Sequence, residues 1–148
     1  MTSATFSLFA ATAPGLEPLC AAELRGLGFR RVEQQAGGVG FDGSLEGIWG
    51  ANLWLRTASR VLVRIAEFRA SAFYELERHA RKIPWDQWVS RGAGVGMSVT
   101  CRKSRLYHSG AVAERVLEAI ERRVGKVHPV KLGADEEDGE EGEPQGRA

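Results

Sequence analysis

The sequence predicts a mixed α+β fold assembled from short elements. Short apolar segments containing β-branched or aromatic residues indicate strands, and segments with apolar residues at helical spacing indicate helices. Glycine and proline separate many of these segments, as expected of turns. The chain has 148 residues and 43% of them are hydrophobic, so it can bury the core of one ordinary domain or of two very small ones.

The first half of the chain alternates strands and helices in a recognisable order. We expect a strand at 5–11, a helix at 16–27 ended by Gly28, strands at 29–35 and 39–41, a helix at 44–55 capped by Ser44, and a strand at 59–68. This β-α-β-β-α-β order is the split βαβ, or ferredoxin-like, arrangement: a four-stranded antiparallel sheet with two helices on one face. The helix at 44–55 is expected to turn its large apolar residues inward, namely Leu45, Ile48, Trp49, Leu53 and Trp54.

A second α/β unit is predicted downstream. Its elements are a helix at 72–83 ended by Pro84, a turn at 85–89 whose two tryptophans fill the core, a strand at 95–101, a basic loop at 102–108, a helix at 109–124 capped by Ser109, and a strand at 127–132. Beyond residue 132 glycine and acidic residues dominate, which indicates a disordered tail or linker. The predicted domains are therefore 1–70, 71–132 and the tail at 133–148.

Charge is unevenly distributed along the chain, although the formal net charge is only +1. Residues 56–132 hold sixteen Lys and Arg against seven Asp and Glu, a net charge of +9. Residues 133–148 hold one basic residue against seven acidic ones, a net charge of −6. A basic surface attracts the phosphates of nucleic acids, and a solvated charged face is the alternative interpretation.

The basic loop at 102–108 is the first candidate site. Arg102, Lys103 and Arg105 can contact phosphates, Tyr107 can stack on an unpaired base, and His108 lies beside them. The following helix begins at Ser109 and Gly110, where backbone amides favour anions and glycine leaves the approach open. The alternative is a solvated loop anchored in the core by Leu106 and Tyr107.

Other cations extend the candidate site. Arg56 and Arg60 flank a Thr-Ala-Ser turn that can hold a phosphate, although such a helix-to-strand connection needs small polar residues anyway, and an arginine can bind helix carbonyls. Arg81 and Lys82 end a helix, where cations also complement the helix dipole, and Arg115 is expected on the outer side of the last helix.

Several other functions find no support in the sequence. His79, His108 and His128 lack the spacing of metal ligands, and Cys20 fits the apolar stripe of the first helix better than the role of a nucleophile. The glycines at 92, 94 and 96 precede a predicted strand, whereas a dinucleotide-binding loop follows one. The two cysteines, the short apolar runs and the N-terminal residues predict a cytoplasmic protein without a disulfide framework, membrane span or secretory signal.

Three segments carry a family resemblance: PGLEPLCAAELRGLG at 14–28, ANLWLRTASRVL at 51–62 and KSRLYHSGAVAERV at 103–116. In order and spacing they resemble the N-terminal region of bacterial THUMP-containing RNA guanine-N2 methyltransferases, which modify large-subunit ribosomal RNA. The resemblance implies a ferredoxin-like unit followed by a THUMP unit, which together dock structured RNA: ribosomal RNA first, with tRNA as a second possibility. It also implies a Rossmann-like methyltransferase domain, in cis or in trans, that uses S-adenosylmethionine.

The sequence departs from this family pattern after about residue 132, where an acidic tail replaces the end of the THUMP unit. No Asn/Asp-Pro-Pro-Tyr motif occurs, so the chain itself is expected to hold neither catalytic residues nor a cofactor site. The competing hypothesis is a ferredoxin-like domain that binds a protein or a small molecule and has no affinity for RNA. Clustering of the cations on one surface would favour RNA, and scattered cations beside a closed apolar pocket would favour the alternative.

Overall fold

The structure is a computed structural model that describes residues 4–101, 105–106 and 108–132. The chain forms two compact units, which divide between Glu67 and Phe68. Within the described residues, no helix is both long enough and apolar enough to span a membrane.

The first unit has the predicted βαββαβ order. Its elements are β1 (Phe6–Thr12), α1 (Glu17–Gly26), β2 (Arg30–Gln35), β3 (Gly38–Gly43), α2 (Leu45–Trp54) and β4 (Ala58–Val63). The strands form one sheet in the order β2-β3-β1-β4, and each neighbouring pair is antiparallel. This topology confirms the ferredoxin-like arrangement.

One face of this sheet and both helices share a single core. Leu8 and Ala10 of β1, together with Val39 and Phe41 of β3, are almost completely buried, because alternate residues of a strand point to the same face. The helices contribute Cys20, Ala21, Leu24 and Ala51 to the same cluster. Burial raises the pKa of the Cys20 thiol, which agrees with its prediction as a core residue.

The ends of both helices follow the predicted signals. Gly28 follows α1 with φ +88, a conformation that glycine adopts without steric cost, and its N–H donates to the carbonyl of Arg25. Ser44 caps α2, because its Oγ accepts a hydrogen bond from the N–H of Gly47 at 3.2 Å.

Of the five α2 residues that were expected to face inward, four are exposed, so the prediction is wrong for them. Leu45, Trp49, Leu53 and Trp54 are between 49% and 74% exposed, whereas Ala51 is buried and Ile48 packs against the core. Small residues select the inner face: a Cβ at Gly47 would lie only 3.2 Å from the ring of Phe29. The helix is apolar on all sides, so its hydrophobic pattern could not show which side faces inward.

The second unit pairs two helices with a minimal sheet. Its elements are α3 (Phe73–Lys82), a 3-10 turn (Trp85–Gln87), β5 (Gly94–Val95), α4 (Ser109–Val124) and β6 (His128–Pro129). Ile83, Trp85, Ile120 and Val127 form its core, and the indole N–H of Trp85 donates to the carbonyl of Ala80 at 2.8 Å. Trp85 is buried as predicted, and Trp88 is half-buried.

The two predicted strands of this unit are much shorter than expected. Residues 94–95 and 128–129 pair in parallel, with hydrogen bonds from the N–H of His128 to the carbonyl of Ala93 and from the N–H of Val130 to the carbonyl of Val95. Pro129 has no N–H to donate, which limits the ladder at its centre. Residues 96–101 still alternate between exposed and half-buried, so the pattern correctly indicated extended backbone but not its pairing.

Candidate nucleic-acid interface

The structure describes only part of the basic loop. Arg102, Lys103 and Tyr107 lie outside the described residues. Of the others, Arg105 and His108 are exposed, and Leu106 is half-buried, as expected of an apolar anchor.

Arg105 lines an open cavity of about 580 Å³ within the second unit. Arg69 lines the same cavity, together with Phe68, Ala70, Ser71 and Glu75. Beside it the ring of Phe68 stacks on His79, with centroids 4.8 Å apart and an interplanar angle of 19°. Two guanidinium groups next to an aromatic surface provide the chemistry that binds phosphates and bases.

The carboxylate that lines this cavity, Glu75, is hydrogen-bonded to Ser71, which lies just before α3. Its Oε2 accepts from the N–H of Ser71 at 2.7 Å and from the Ser71 hydroxyl at 3.0 Å. The backbone hydrogen bond from Ser71 is the main cause that lowers the pKa of Glu75. Glu75 therefore stays charged at neutral pH and caps α3, while Arg69 and Arg105 supply the positive charge of the cavity.

The entrance of α4 differs by one residue from the prediction. His108 is the N-cap, with extended backbone, and Ser109 is the first helical residue and makes no capping bond. The expectation that Ser109 caps this helix is therefore wrong. Gly110 is exposed, and a Cβ there would meet no atom within 4 Å, so the first turn is uncrowded as predicted.

Two of the predicted cations bind Glu77 of α3: Arg115 joins α4 to α3, and Arg81 forms a pair within α3. Glu77 binds Arg115, with 2.6 Å between Oε1 and Nη1, and also binds Arg81, with 3.4 Å between Oε2 and Nη2. Lys82 is exposed at the end of α3. Arg81 and Arg115 thus have a structural partner, and an RNA phosphate would have to compete with Glu77 for them.

The Thr-Ala-Ser turn of the first unit already holds an anion from its own chain. Oε2 of Glu23 accepts from the N–H groups of Arg56 and Thr57, both at 3.2 Å, and from the Thr57 hydroxyl at 2.7 Å. The Thr57 hydroxyl is the main cause of the lowered pKa of Glu23. The donors thus suit an anion, as predicted, but Glu23 occupies them.

The remaining residues of that turn divide into a structural and an exposed group. The hydroxyl of Ser59 donates to the carbonyl of Ala11 at 3.2 Å, which joins β4 to β1. Arg56 and Arg60 are exposed. Thr57 and Ser59 therefore have the structural role favoured for them by the sequence.

Sequence reasoning missed Arg69 and the Phe68–His79 stack. The sequence predicts a strand to residue 68, whereas β4 ends at Val63 and the following segment leads to α3. A basic residue four positions before the first residue of α3 is the available signal, but its partner Arg105 is distant in sequence.

Comparisons with known proteins find similarity to methyltransferases. Residues 7–62 match the family described as the RlmL ferredoxin-like domain. A ribosomal RNA large subunit methyltransferase K/L from Syntrophotalea carbinolica is 41% identical over 113 residues, which are 76% of this chain and 16% of that protein.

Two solved structures have the same fold over most of the chain. SMU.472, a methyltransferase crystallised with SAH, has a TM-score of 0.76 and 31% identity, covering 83% of this chain and 32% of that one. A protein described as an N6-adenine-specific DNA methylase from Listeria monocytogenes has a TM-score of 0.72 and 30% identity, covering 86% and 37%. The chain thus spans between a sixth and two fifths of these three relatives.

Proposed function

We propose that the chain is an RNA-docking module of a ribosomal RNA large-subunit methyltransferase, because residues 7–62 match the RlmL ferredoxin-like domain and 113 residues are 41% identical to such a methyltransferase. In this proposal, residues 71–132 form a partial THUMP unit that binds structured RNA, with ribosomal RNA as the first candidate and tRNA as the second. The acidic residues from 133 onward act as a tail or linker. Guanine-N2 methylation would be carried out by a methyltransferase domain in cis or in trans.

The observation that carries this proposal is the cavity shared by Arg69 and Arg105. It lies in the most basic part of the chain, and Arg105 belongs to the segment at 103–116 that most resembles the family. The stacked rings of Phe68 and His79 add an aromatic surface beside the two guanidinium groups. Phosphate contacts with stacking are what recognition of unpaired loops and ends in RNA requires.

The described residues do not fit S-adenosylmethionine. Nucleotide-type cofactors of this class bind where parallel strands of a doubly wound sheet meet helix N-termini. Among the described residues, parallel pairing is limited to residues 94–95 and 128–129, and the four-stranded sheet is antiparallel. We therefore propose that the cofactor belongs to the methyltransferase domain, in cis or in trans.

Binding of a ribosomal RNA hairpin by the whole chain tests the docking role. Changing Arg102, Lys103 and Arg105 together to Ala should weaken binding at low salt and lower the slope of log K against log salt by about two to three. The matched control changes Arg122, Lys126 and Lys131 to Ala, which removes equal charge from the same unit. Equal losses in both triple variants, or no binding by the unchanged chain, would refute a local site.

A second candidate function, a protein contact, rests on α2. Leu45, Trp49, Leu53 and Trp54 leave an apolar surface on this helix that exceeds the scattered exposure of ordinary surfaces. A methyltransferase domain that needs this module would be its natural partner. Changing Trp49 and Leu53 to Gln should abolish activation of a separately expressed catalytic domain while hairpin binding by the chain persists.

A further inference from the structure

On the sheet face opposite the core of the first unit, an aromatic ring packs over glycine residues of the neighbouring strand. Phe9 lies on the central strand β1, on the face opposite the core residues Leu8 and Ala10. Its pairing partner on β3 is Gly40, and the diagonal neighbour is Gly38. A Cβ at Gly38 would lie 2.6 Å from Cζ of Phe9, so the ring lies across the sheet over that glycine.

Neighbouring strands frame this ring with polar and apolar groups. A Cβ at Gly40 would lie 3.0 Å from Nε2 of Gln35, which places the Gln35 amide beside the ring on the β2 side. On the β4 side Leu62 pairs directly with Phe9 and is 46% exposed. The result is a flat apolar shelf with an amide donor and acceptor at one edge.

Positive charge lies along the opposite edge of the shelf. Arg60 of β4 and Arg64, directly after β4, continue the alternation of Leu62 on this face, and both are exposed. Nη1 of Arg64 lies 3.4 Å from Oε2 of Glu67. This exposed ion pair contributes little to stability, so a phosphate can replace the Glu67 carboxylate. Glu33 and Asp42 are on the β2 side, where Arg31 lies 3.5 Å from Asp42, so the edge beyond Leu62 is the more basic one.

We propose that this sheet face is a second RNA site, which binds one unpaired nucleotide by stacking its base on Phe9. The Gln35 amide meets the edge of the base, and Arg60 and Arg64 contact the flanking phosphates. Stacking on aromatic residues of a four-stranded sheet is an established way of binding single-stranded RNA. The glycines matter because a side chain at residue 38 or 40 would occupy the space that the ring and the amide use.

This site goes beyond the docking role of the second unit, because it lies entirely in the first. It also separates two ligands: the sheet face would take an unpaired strand, and the second unit would take the loop or end of a folded RNA. The contribution of one stacked base predicts that loss of the ring weakens binding by roughly tenfold.

The test uses the whole chain and an eight-nucleotide oligouridylate with one central 2-aminopurine. Stacking on Phe9 should quench the probe, and amide shifts of the unchanged chain should map to β1, β3 and β4. Phe9→Leu should lose the quench and about tenfold in affinity, while Phe9→Tyr should keep both. Arg60→Gln with Arg64→Gln should lower the salt slope by about one, and the control Arg25→Gln should leave it unchanged.

Three results would overturn the proposal. The amide shifts of the unchanged chain could map only to the second unit, a reading that does not depend on any variant folding. A folded Phe9→Leu variant could bind and quench like the unchanged chain. Sedimentation could show self-association that Leu62→Gln abolishes, which would make the face a protein interface. Loss of hairpin binding in the Arg102, Lys103 and Arg105 variant with an intact quench would leave this site standing, so the two proposals fail separately.

Discussion

In the first unit, half of the core residues come from a four-stranded sheet, and they are almost completely buried. The described part of the second unit consists instead of two helices and a sheet of two-residue strands. The core residues of the second unit keep between 3% and 8% of their surface exposed. The first unit is thus a well-packed scaffold, and the second carries most of the positive charge on a thinner core. This difference suits a module in which one half gives rigidity and the other presents a basic surface.

The largest expected effect is on the core of the first unit. Leu24→Ala should lower the free energy of unfolding of that unit by about 2–5 kcal/mol, because Leu24 is fully buried between α1 and the sheet. Hydrogen exchange should show faster exchange in β1 and β3, with α3 and α4 little changed. Equal acceleration in both units would instead mean that they unfold as one cooperative structure.

A smaller effect is expected in the core of the second unit. Trp85→Phe keeps an aromatic ring but loses the hydrogen bond to the carbonyl of Ala80. The expected loss is about 1–3 kcal/mol, measured by urea unfolding followed by the circular dichroism of the helices. Trp88→Phe is the matched control, because Trp88 is only half-buried, and it should cost less.

The smallest effect is a pH dependence from Glu23. Hydrogen bonds from Thr57 and Arg56 lower its pKa in the folded state, so its stabilisation is fully present above the unfolded pKa of about 4.3. That stabilisation disappears as the pH falls through the lower folded pKa. Glu23→Gln should therefore make the urea midpoint less dependent on pH below about pH 5.

The first unit could be predicted from sequence because its signals are local. Gly28 and Ser44 mark helix ends through backbone conformation and capping, and alternate strand residues mark the buried face. The orientation of α2 could not be predicted, because every side of it is apolar and the close approach at Gly47 depends on Phe29.

The candidate site was less predictable because its contacts are distant in sequence. The loop at 102–108 stood out by composition, yet its described partner in the cavity is Arg69, more than thirty residues earlier. The pairing of Arg115 with Glu77 and of Glu23 with Thr57 likewise joins separate elements. Charge pattern identified the basic region, whereas tertiary packing decides which of its cations are already engaged.

The outward position of the α2 tryptophans has a spectroscopic consequence. The chain has four tryptophans, two in each unit, and Trp49 and Trp54 are solvated whereas Trp85 is buried. Indoles in water emit at longer wavelength than indoles in an apolar core, so unfolding shifts the emission of Trp85 and changes that of Trp49 and Trp54 little. Loss of the blue component on denaturation therefore follows the second unit without an added label.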